Sequence, residues 1–215
     1  HLQFLKKKKI NNVILEASSH GLKQNRLDGL NISSAIFTNF SHDHLDYHKN
    51  LTNYLNSKLY LFKNLLREKS TVITDSSIKQ FKKIKNISSK KNLVLKTFLN
   101  KNNEIHLISH EFKNERQKLK IKFKNKIYDF NLNLIGKTQV KNVLMAIIAA
   151  QKSKLNESKI MKNIHKLKPV NGRFEKIGNL KNNSKVILDY AHTPDALKYT
   201  LESIREQFNQ SSISI

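Results

Sequence analysis

The sequence predicts an α/β protein built on a parallel sheet, with a second α/β unit opening near its carboxyl end. Three observations carry that expectation. Short β-branched runs occur at residues 12–17 (NVILEA), 33–39 (SSAIFTN) and 70–74 (STVIT), and a helical stripe separates the second from the third. A Lys-Pro-Val-Asn-Gly segment at 168–172 then breaks the pattern, and one more strand and helix follow it. The composition, 38% hydrophobic over 215 residues, suits a packed globule rather than a disordered tail.

Each element has its own justification. Residues 12–17 read as a buried strand ending in Glu16. Residues 33–39 read as a second strand, followed by a His-rich loop. Over 51–66 the apolar positions Tyr54, Leu55, Leu59, Leu61, Phe62, Leu65 and Leu66 form a helical stripe. Shorter strands are expected at 93–98, 104–109, 119–124 and 127–132, with Asn125-Lys126 as the hairpin turn between the last two. Helices are expected at 140–152 and 157–167. Beyond the break lie a strand at 185–189, a helix at 194–208 and the beginning of another strand at 212–215.

Charge and cysteine usage narrow the chemistry. The chain carries 40 Lys and Arg against 16 Asp and Glu, a net charge of +24. Only 5 of those cations are Arg, the residue whose planar fork reads phosphates and base edges bidentately. The lysines are scattered, so the charge reads as a solvated surface that could draw in an anionic substrate; a basic nucleic-acid-binding module is the alternative. With no Cys, the chain has no disulfides, thiolate zinc sites or cysteine nucleophiles. No apolar run is long enough to span a bilayer, and the start of the sequence does not read as a signal peptide.

Four constellations could carry chemistry. Glu16-Ala17-Ser18-Ser19-His20-Gly21 sits where a strand is expected to end, where parallel sheets bind ligands. Glu16 could supply a hard oxygen to Mg²⁺, or the serines could simply cap a helix beside a surface Glu. His42-Asp43-His44-Leu45-Asp46-Tyr47-His48 offers mixed imidazole and carboxylate ligands for a divalent cation, or is only a polar loop. Gly136-Lys137-Thr138 resembles the end of a phosphate loop but lacks its earlier Gly, Asn131 standing there, and reads as the entry to a helix. Asp189-Tyr190-Ala191-His192-Thr193-Pro194 follows a strand; Asp189 could hold ribose hydroxyls, Thr193 could cap a helix, and Pro194 fits its first position.

Taken together, these residues resemble the Mur ligase family, most closely its UDP-N-acetylmuramyl-tripeptide synthetase type. The likeness runs through Glu16-Ala17-Ser18-Ser19-His20-Gly21-Leu22, Arg26, Phe37-Thr38-Asn39, Asp43-His44-Leu45-Asp46-Tyr47-His48 and Lys58. It continues through Gly136, Asn142, Gly172-Arg173-Phe174-Glu175 and Asp189-Tyr190-Ala191-His192-Thr193-Pro194-Asp195-Ala196-Leu197. The resemblance implies a partial Mur ligase central domain over 1–168, with a parallel, ATPase-like sheet. The start of a Rossmann-like C-terminal domain would cover 169–215.

The activity implied is ATP-dependent amide formation in peptidoglycan biosynthesis. The third amino acid would be added to UDP-N-acetylmuramoyl-L-alanyl-D-glutamate through an acyl phosphate. The cofactors implied are ATP and Mg²⁺. By the same resemblance Glu16 and His44 bind Mg²⁺ together with Lys58 as a carbamate. Ser18, Gln24 and Arg26 contact the UDP-muramyl peptide, Asn142 meets the adenine, Asp189 holds the ribose, and Arg173 and His192 lie near the ATP phosphates. Lys58, Arg173 and His192 are the residues assigned to catalysis. The partners implied are the UDP-muramyl peptide and an amino acid, in a cytoplasmic monomer that binds neither nucleic acid nor membrane.

The chain departs from the family pattern in three ways. The family's phosphate loop belongs before residue 1, so the 215 residues are expected to be inactive alone. Thr138 and Gln139 stand where the family carries an aromatic residue and Asn. The part that selects lysine or diaminopimelate would lie beyond residue 215. Another ligase of the superfamily, of the cyanophycin-synthetase kind, is the nearest alternative.

Overall fold

The computed structural model of the chain describes residues 2–101, 103, 105–182, 184–209 and 213–215. Its centre is a three-stranded parallel sheet in the order β1-β2-β3, formed by β1 (Ile32–Phe37), β2 (Leu66–Thr74) and β3 (Val94–Lys96). The parallel sheet expected from the sequence is therefore present. Before it come two short helices, α1 (Leu2–Lys7) and α2 (Ser19–Lys23). Between β1 and β2 run α3 (Leu45–His48) and α4 (Leu51–Tyr60), the latter unwinding through one wide π turn at Leu61–Leu65. The stripe expected over 51–66 is thus helical until Leu66, which begins β2.

Strand β2 is buried on both faces, and its alternation divides the core. Val72 packs with Leu22, Phe37, Leu55, Leu59, Phe62 and Ile84, from α2, β1, α4 and its wide turn, and α5 (Phe81–Lys90). The next residue, Ile73, points to the opposite face and joins a second core. That core lies between α6 (Lys137–Lys152), α7 (Glu157–Ile164) and an antiparallel sheet of β4 (Ile105–Lys113), β5 (Arg116–Phe123) and β6 (Lys126–Leu132). Each large side chain in these cores contributes about 1.5–3 kcal/mol by leaving water.

A third, small cluster of Ile135, Phe174 and Phe208 joins the carboxyl-terminal residues to the rest. There, β7 (Glu175–Asn179) pairs antiparallel with β8 (Lys185–Leu188), and α8 (Pro194–Phe208) follows. Thr193 caps α8 through the Ala196 N–H at 3.3 Å, with Pro194 in its first turn, as the sequence implies.

Several expectations need correction. Residues 12–17 form no strand: residues 11–16 are exposed and Ile14 is 99% accessible. β-branched residues favour a strand only where a neighbouring strand and a half-buried face exist, and among the described residues β1 pairs with β2 alone. The β5–β6 turn is Lys124-Asn125, one residue earlier than expected, because Phe123 pairs with Lys126 and Lys124 takes φ 54°. Helix α5 and strand β7 were not anticipated. In α5 the lysines between Phe81, Ile84 and Ile87 mask the apolar stripe; in β7, EKIGN has no apolar run. Glu104 and Ser212, at the start of two expected strands, lie outside the described residues, and 213–215 form no strand.

Candidate active site at the tip of the parallel sheet

Glu16 lies on the exposed segment just before α2, not at a strand tip. Ser18 caps α2, its Oγ accepting the Gly21 N–H at 3.1 Å, so the capping reading holds for this serine. Gly21 also has Arg26 beside it: a Cβ there would stand 3.8 Å from Arg26 Cδ. Gln24 donates to the Tyr47 hydroxyl at 3.1 Å. The three residues assigned to the UDP-muramyl peptide, Ser18, Gln24 and Arg26, thus lie along one helix and its following turn, tied to the His-rich segment by Tyr47.

That segment is an aromatic nest. The ring of His20 lies 4.9 Å from His44, 4.3 Å from Tyr47 and 5.4 Å from His48, and Tyr54 stacks on His48 at 5.2 Å. His44 itself adopts φ 53°, a backbone region a non-glycine residue enters at a cost. Its N–H donates to Asp43 Oδ1 at 2.8 Å, and its Nε2 lies 3.5 Å from Asp43 Oδ2.

Buried His48 pins the nest from below. Ser57 spends its one hydroxyl hydrogen on the Asn53 carbonyl at 2.9 Å, so the imidazole Nδ1–H donates to Ser57 Oγ at 3.4 Å. Nε2 is then free to accept the Ser19 hydroxyl at 3.0 Å. Burial, then the neighbouring cations, hold the His48 pKa below its ordinary 6.5, in keeping with a neutral ring.

Lys58, one turn beyond Tyr54 on α4, lays its ammonium over the Tyr54 ring at 5.0 Å, and His44 meets the same ring edge-on at 5.7 Å. Burial lowers the Lys58 pKa, against the opposing pull of the Asp43 and Glu16 carboxylates. Burial, with Asp43, pushes Tyr54 up to about 12. The Glu16 carboxylate thus acts on Lys58, and His44 shares the Tyr54 ring with it. Among the described residues, however, no three of His, Cys, Asp and Glu gather into a metal site by themselves.

The carboxyl-terminal residues reach this nest where His192 Nε2 lies 3.8 Å from Asp43 Oδ1. Arg173 stacks on Tyr190 at 4.6 Å, and Tyr190 meets His192 edge-on at 4.9 Å. Asp189 is already engaged: its oxygens accept the Phe174 and Ala191 N–H groups and the Thr200 hydroxyl, at 2.9, 3.1 and 3.1 Å. Among the described residues the Asn142 side chain, on α6, donates to Gln139 Oε1 at 3.4 Å and joins none of these groups. The loop before α6 is clamped from two sides. Gln117 donates to the Leu134 and Gly136 carbonyls, Gln207 accepts the Gly136 N–H, and the Tyr199 hydroxyl accepts the Thr138 N–H at 2.8 Å.

The sequence offers Asp43 and His48 only as possible cation ligands, assigns Tyr47 no part, and gives Ser19, Tyr54 and Ser57 no role in the site. The i, i+4 spacing of Tyr54 and Lys58 was the available signal. A surface depression of about 480 Å³ lies elsewhere, lined by Lys113, Asn114, Arg116, Lys118 and Asn131, and holds none of the candidate residues.

A parallel sheet with these side chains at one end defines a class: the chain belongs to the Mur ligase family. Residues 1–150 match the Mur ligase middle domain, and residues 172–215 match the Mur ligase glutamate ligase domain. Within the family, the chain is 38% identical over 202 residues to a UDP-N-acetylmuramoyl-L-alanyl-D-glutamate–2,6-diaminopimelate ligase of Rickettsia bellii, covering 94% of this chain and 41% of that protein. It is 38% identical over 219 residues to the protein of the same name from Wigglesworthia glossinidia brevipalpis, covering 100% and 43%. A solved structure of a ligase of that name superposes with a TM-score of 0.72 at 26% identity, over 89% of this chain and 39% of that one. A MurF ligase from Thermotoga maritima in complex with ADP, 11% identical, shares the fold at a TM-score of 0.67, over 88% and 42%. The chain therefore spans about two fifths of the curated relatives it matches.

Proposed function

We propose that the protein carrying this chain is an ATP-dependent amide-forming ligase of peptidoglycan biosynthesis. It adds the third amino acid to UDP-N-acetylmuramoyl-L-alanyl-D-glutamate, and the names of its relatives point to 2,6-diaminopimelate as that amino acid. The substrate carboxylate takes the γ-phosphoryl group of ATP, and the incoming amine displaces phosphate from the acyl phosphate. The division into a central unit over 1–168 and a carboxyl-terminal unit from 169 is part of this reading. So are a cytoplasmic monomer and the absence of a nucleic-acid or membrane partner. Among the described residues, no helix is long and apolar enough to cross a membrane.

One observation carries the reading: Lys58 sits half-buried on Tyr54, beside His44 and within the field of Glu16 and Asp43, with its pKa lowered. A free amine is the form that reacts with CO₂. Its lone pair bonds to the carbon, one proton leaves the nitrogen for water, and a carbamate anion replaces a cation. That change supplies the oxygen donor that Glu16 and His44 lack, since among the described residues no three acidic or imidazole groups converge into a metal site. Glu16, His44 and the Lys58 carbamate would hold Mg²⁺, which screens the phosphate charge on ATP and on the acyl phosphate.

The chain's own residues do the rest. Ser18, Gln24 and Arg26 orient the UDP-muramyl dipeptide. Arg173 and His192 approach the ATP phosphates from the side of Asp43. Asn142 faces the adenine and Asp189 the ribose, through lone pairs its own N–H partners leave free.

The test is phosphate release that requires both UDP-muramyl dipeptide and diaminopimelate, measured on the longest polypeptide carrying these residues. Lys58→Ala should reduce it at least a hundredfold, with partial rescue by short-chain carboxylates. Undiminished turnover in Lys58→Ala would refute the assignment.

A further inference from the structure

One buried charge takes no part in the reading above. Asp75 follows β2 directly, at the carboxyl end of a parallel strand, where ligands of such sheets gather. Its side chain is only 1% exposed. Oδ1 accepts the Ser77 N–H at 2.8 Å. Oδ2 lies 2.6 Å from the Lys141 ammonium, which also donates to the Ser77 hydroxyl at 3.3 Å. Burial alone would raise the Asp75 pKa; Lys141 and the Ser77 N–H and hydroxyl outweigh it, and the carboxyl stays below the ordinary 3.8.

An ion pair with one partner this deeply buried costs desolvation, chiefly of the carboxylate, and is weak evidence for stability in itself. What such a pair can supply is register. Lys141 lies in the second turn of α6, next in sequence to Asn142. The first turn of α6 has no side-chain cap of its own, since Gly136 occupies that position. Helix α6 therefore has a charged tether to the tip of β2, one residue away from the side chain assigned to adenine.

We propose that Asp75 is a positioning residue for the nucleotide side of the site, acting through Lys141 and Ser77 to fix the rotation of α6 that aims Asn142. The proposal rests on the reading that Asn142 meets the adenine, and its test separates the two. The experiment follows the Asn142 side-chain amide and the backbone amides of α6 by NMR in the whole 215-residue chain, free and titrated with Mg·ADP. The near-isosteric Asp75→Asn variant removes the charge at the buried end. Lys141→Met removes the same tether from the more exposed end, so a folding failure in one leaves the other to be read.

In both variants the Asn142 side-chain amide should lose its single resolved environment. Hydrogen exchange over the first two turns of α6 should speed at least tenfold, while α7 and β5 keep their protection. Affinity for Mg·ADP should fall roughly tenfold, the loss expected when a contact of hydrogen-bond worth is misdirected. The charge reversal Asp75→Lys with Lys141→Asp should recover part of both effects. Mg·ADP binding to the wild-type chain that leaves the Asn142 signals unmoved would refute the adenine assignment, while the exchange and side-chain signals judge the tether with or without nucleotide. Unchanged Asn142 signals and unchanged α6 exchange in Asp75→Asn and Lys141→Met, or loss spread evenly over the whole core, would overturn the proposal.

Discussion

Two regions of this molecule solve the same problem, holding polar groups at the end of a sheet, by opposite means. The nest around His48 is local: Ser19, His48 and Ser57 lie 29 and 9 residues apart, and the rings of Tyr47 and Tyr54 come from the same stretch of chain. The junction before α6 is remote: Tyr199 and Gln207 reach Thr138, Gly136, Leu134 and Glu115 across separations of 61 to 92 residues. Closing long separations costs chain entropy before any contact repays it. The difference teaches that the junction depends on every element between its ends, while the nest depends mainly on α2, α3 and α4. Damage should therefore spread at the junction and stay confined in the nest.

The largest effect is expected at Gln117, which is fully buried and serves both carbonyls of the junction loop as well as His110. Gln117→Leu leaves the Gly136 carbonyl without that donor and should cost about 2–4 kcal/mol in urea unfolding, the penalty of stranding buried polar groups. It should also loosen α8, seen as faster hydrogen exchange at Thr200 and Ser203. A loss below about 1 kcal/mol, or one that leaves α8 untouched, breaks the comparison.

Gly136→Ala comes next. At φ 88° and ψ 145° the backbone lies where side chains are rarely tolerated, and a Cβ would stand 3.3 Å from both Ser203 Oγ and Tyr199 OH. Strain of about 1–3 kcal/mol is expected. It should weaken the Tyr199 contact with Thr138 while the ring stacking around His20 persists, as judged by tyrosine and histidine ring resonances. In the nest, Ser19→Ala should cost only about 1 kcal/mol, by removing the hydroxyl donor to His48 Nε2. Its exchange effects should not pass beyond α4. Loosening of α8 in that variant would show that the two regions are not independent.

The sequence carried the local region further than the remote one, for a physical reason. Period and capping are short-range signals, so β1, β2, α4, α6 and α8 were legible, down to Thr193 and Pro194 at the start of α8. The motif around Asp43 and His48 drew attention to the nest, but its chemistry could not be assigned, because which hydroxyl meets which ring nitrogen depends on how α2 and α4 pack. Residues 12–17 failed for the complementary reason. Their β-branched pattern is real, but a strand also needs a neighbour, and pairing is not written in the strand itself. Gln117, Gln207 and Asp75 carry no period or motif; only burial gives them meaning.

The smallest predicted effect sharpens the comparison through pH. His110 belongs to the remote region. The Gln117 amide gives its hydrogens to backbone carbonyls, so its Oε1 accepts from His110 Nε2 at 2.8 Å, and the ring keeps its proton on that nitrogen. Burial, the largest influence, lowers the His110 pKa. Lys137 adds to the lowering, while the Gln117 bond and the Glu206 carboxylate oppose it. Unfolded, the same imidazole titrates near 6.5. As the pH falls below that value, the unfolded chain takes up a proton that the folded chain refuses, so stability drops until the folded pKa is reached. The contribution is fully present above pH 6.5. His110→Asn should flatten that decline without altering the profile at neutral pH, measured by urea midpoints of variant and wild type across the acid range. An identical slope in the two proteins would mean that the ring is more open to water than its place beside Gln117 implies, and that the remote region is looser than its hydrogen bonds suggest.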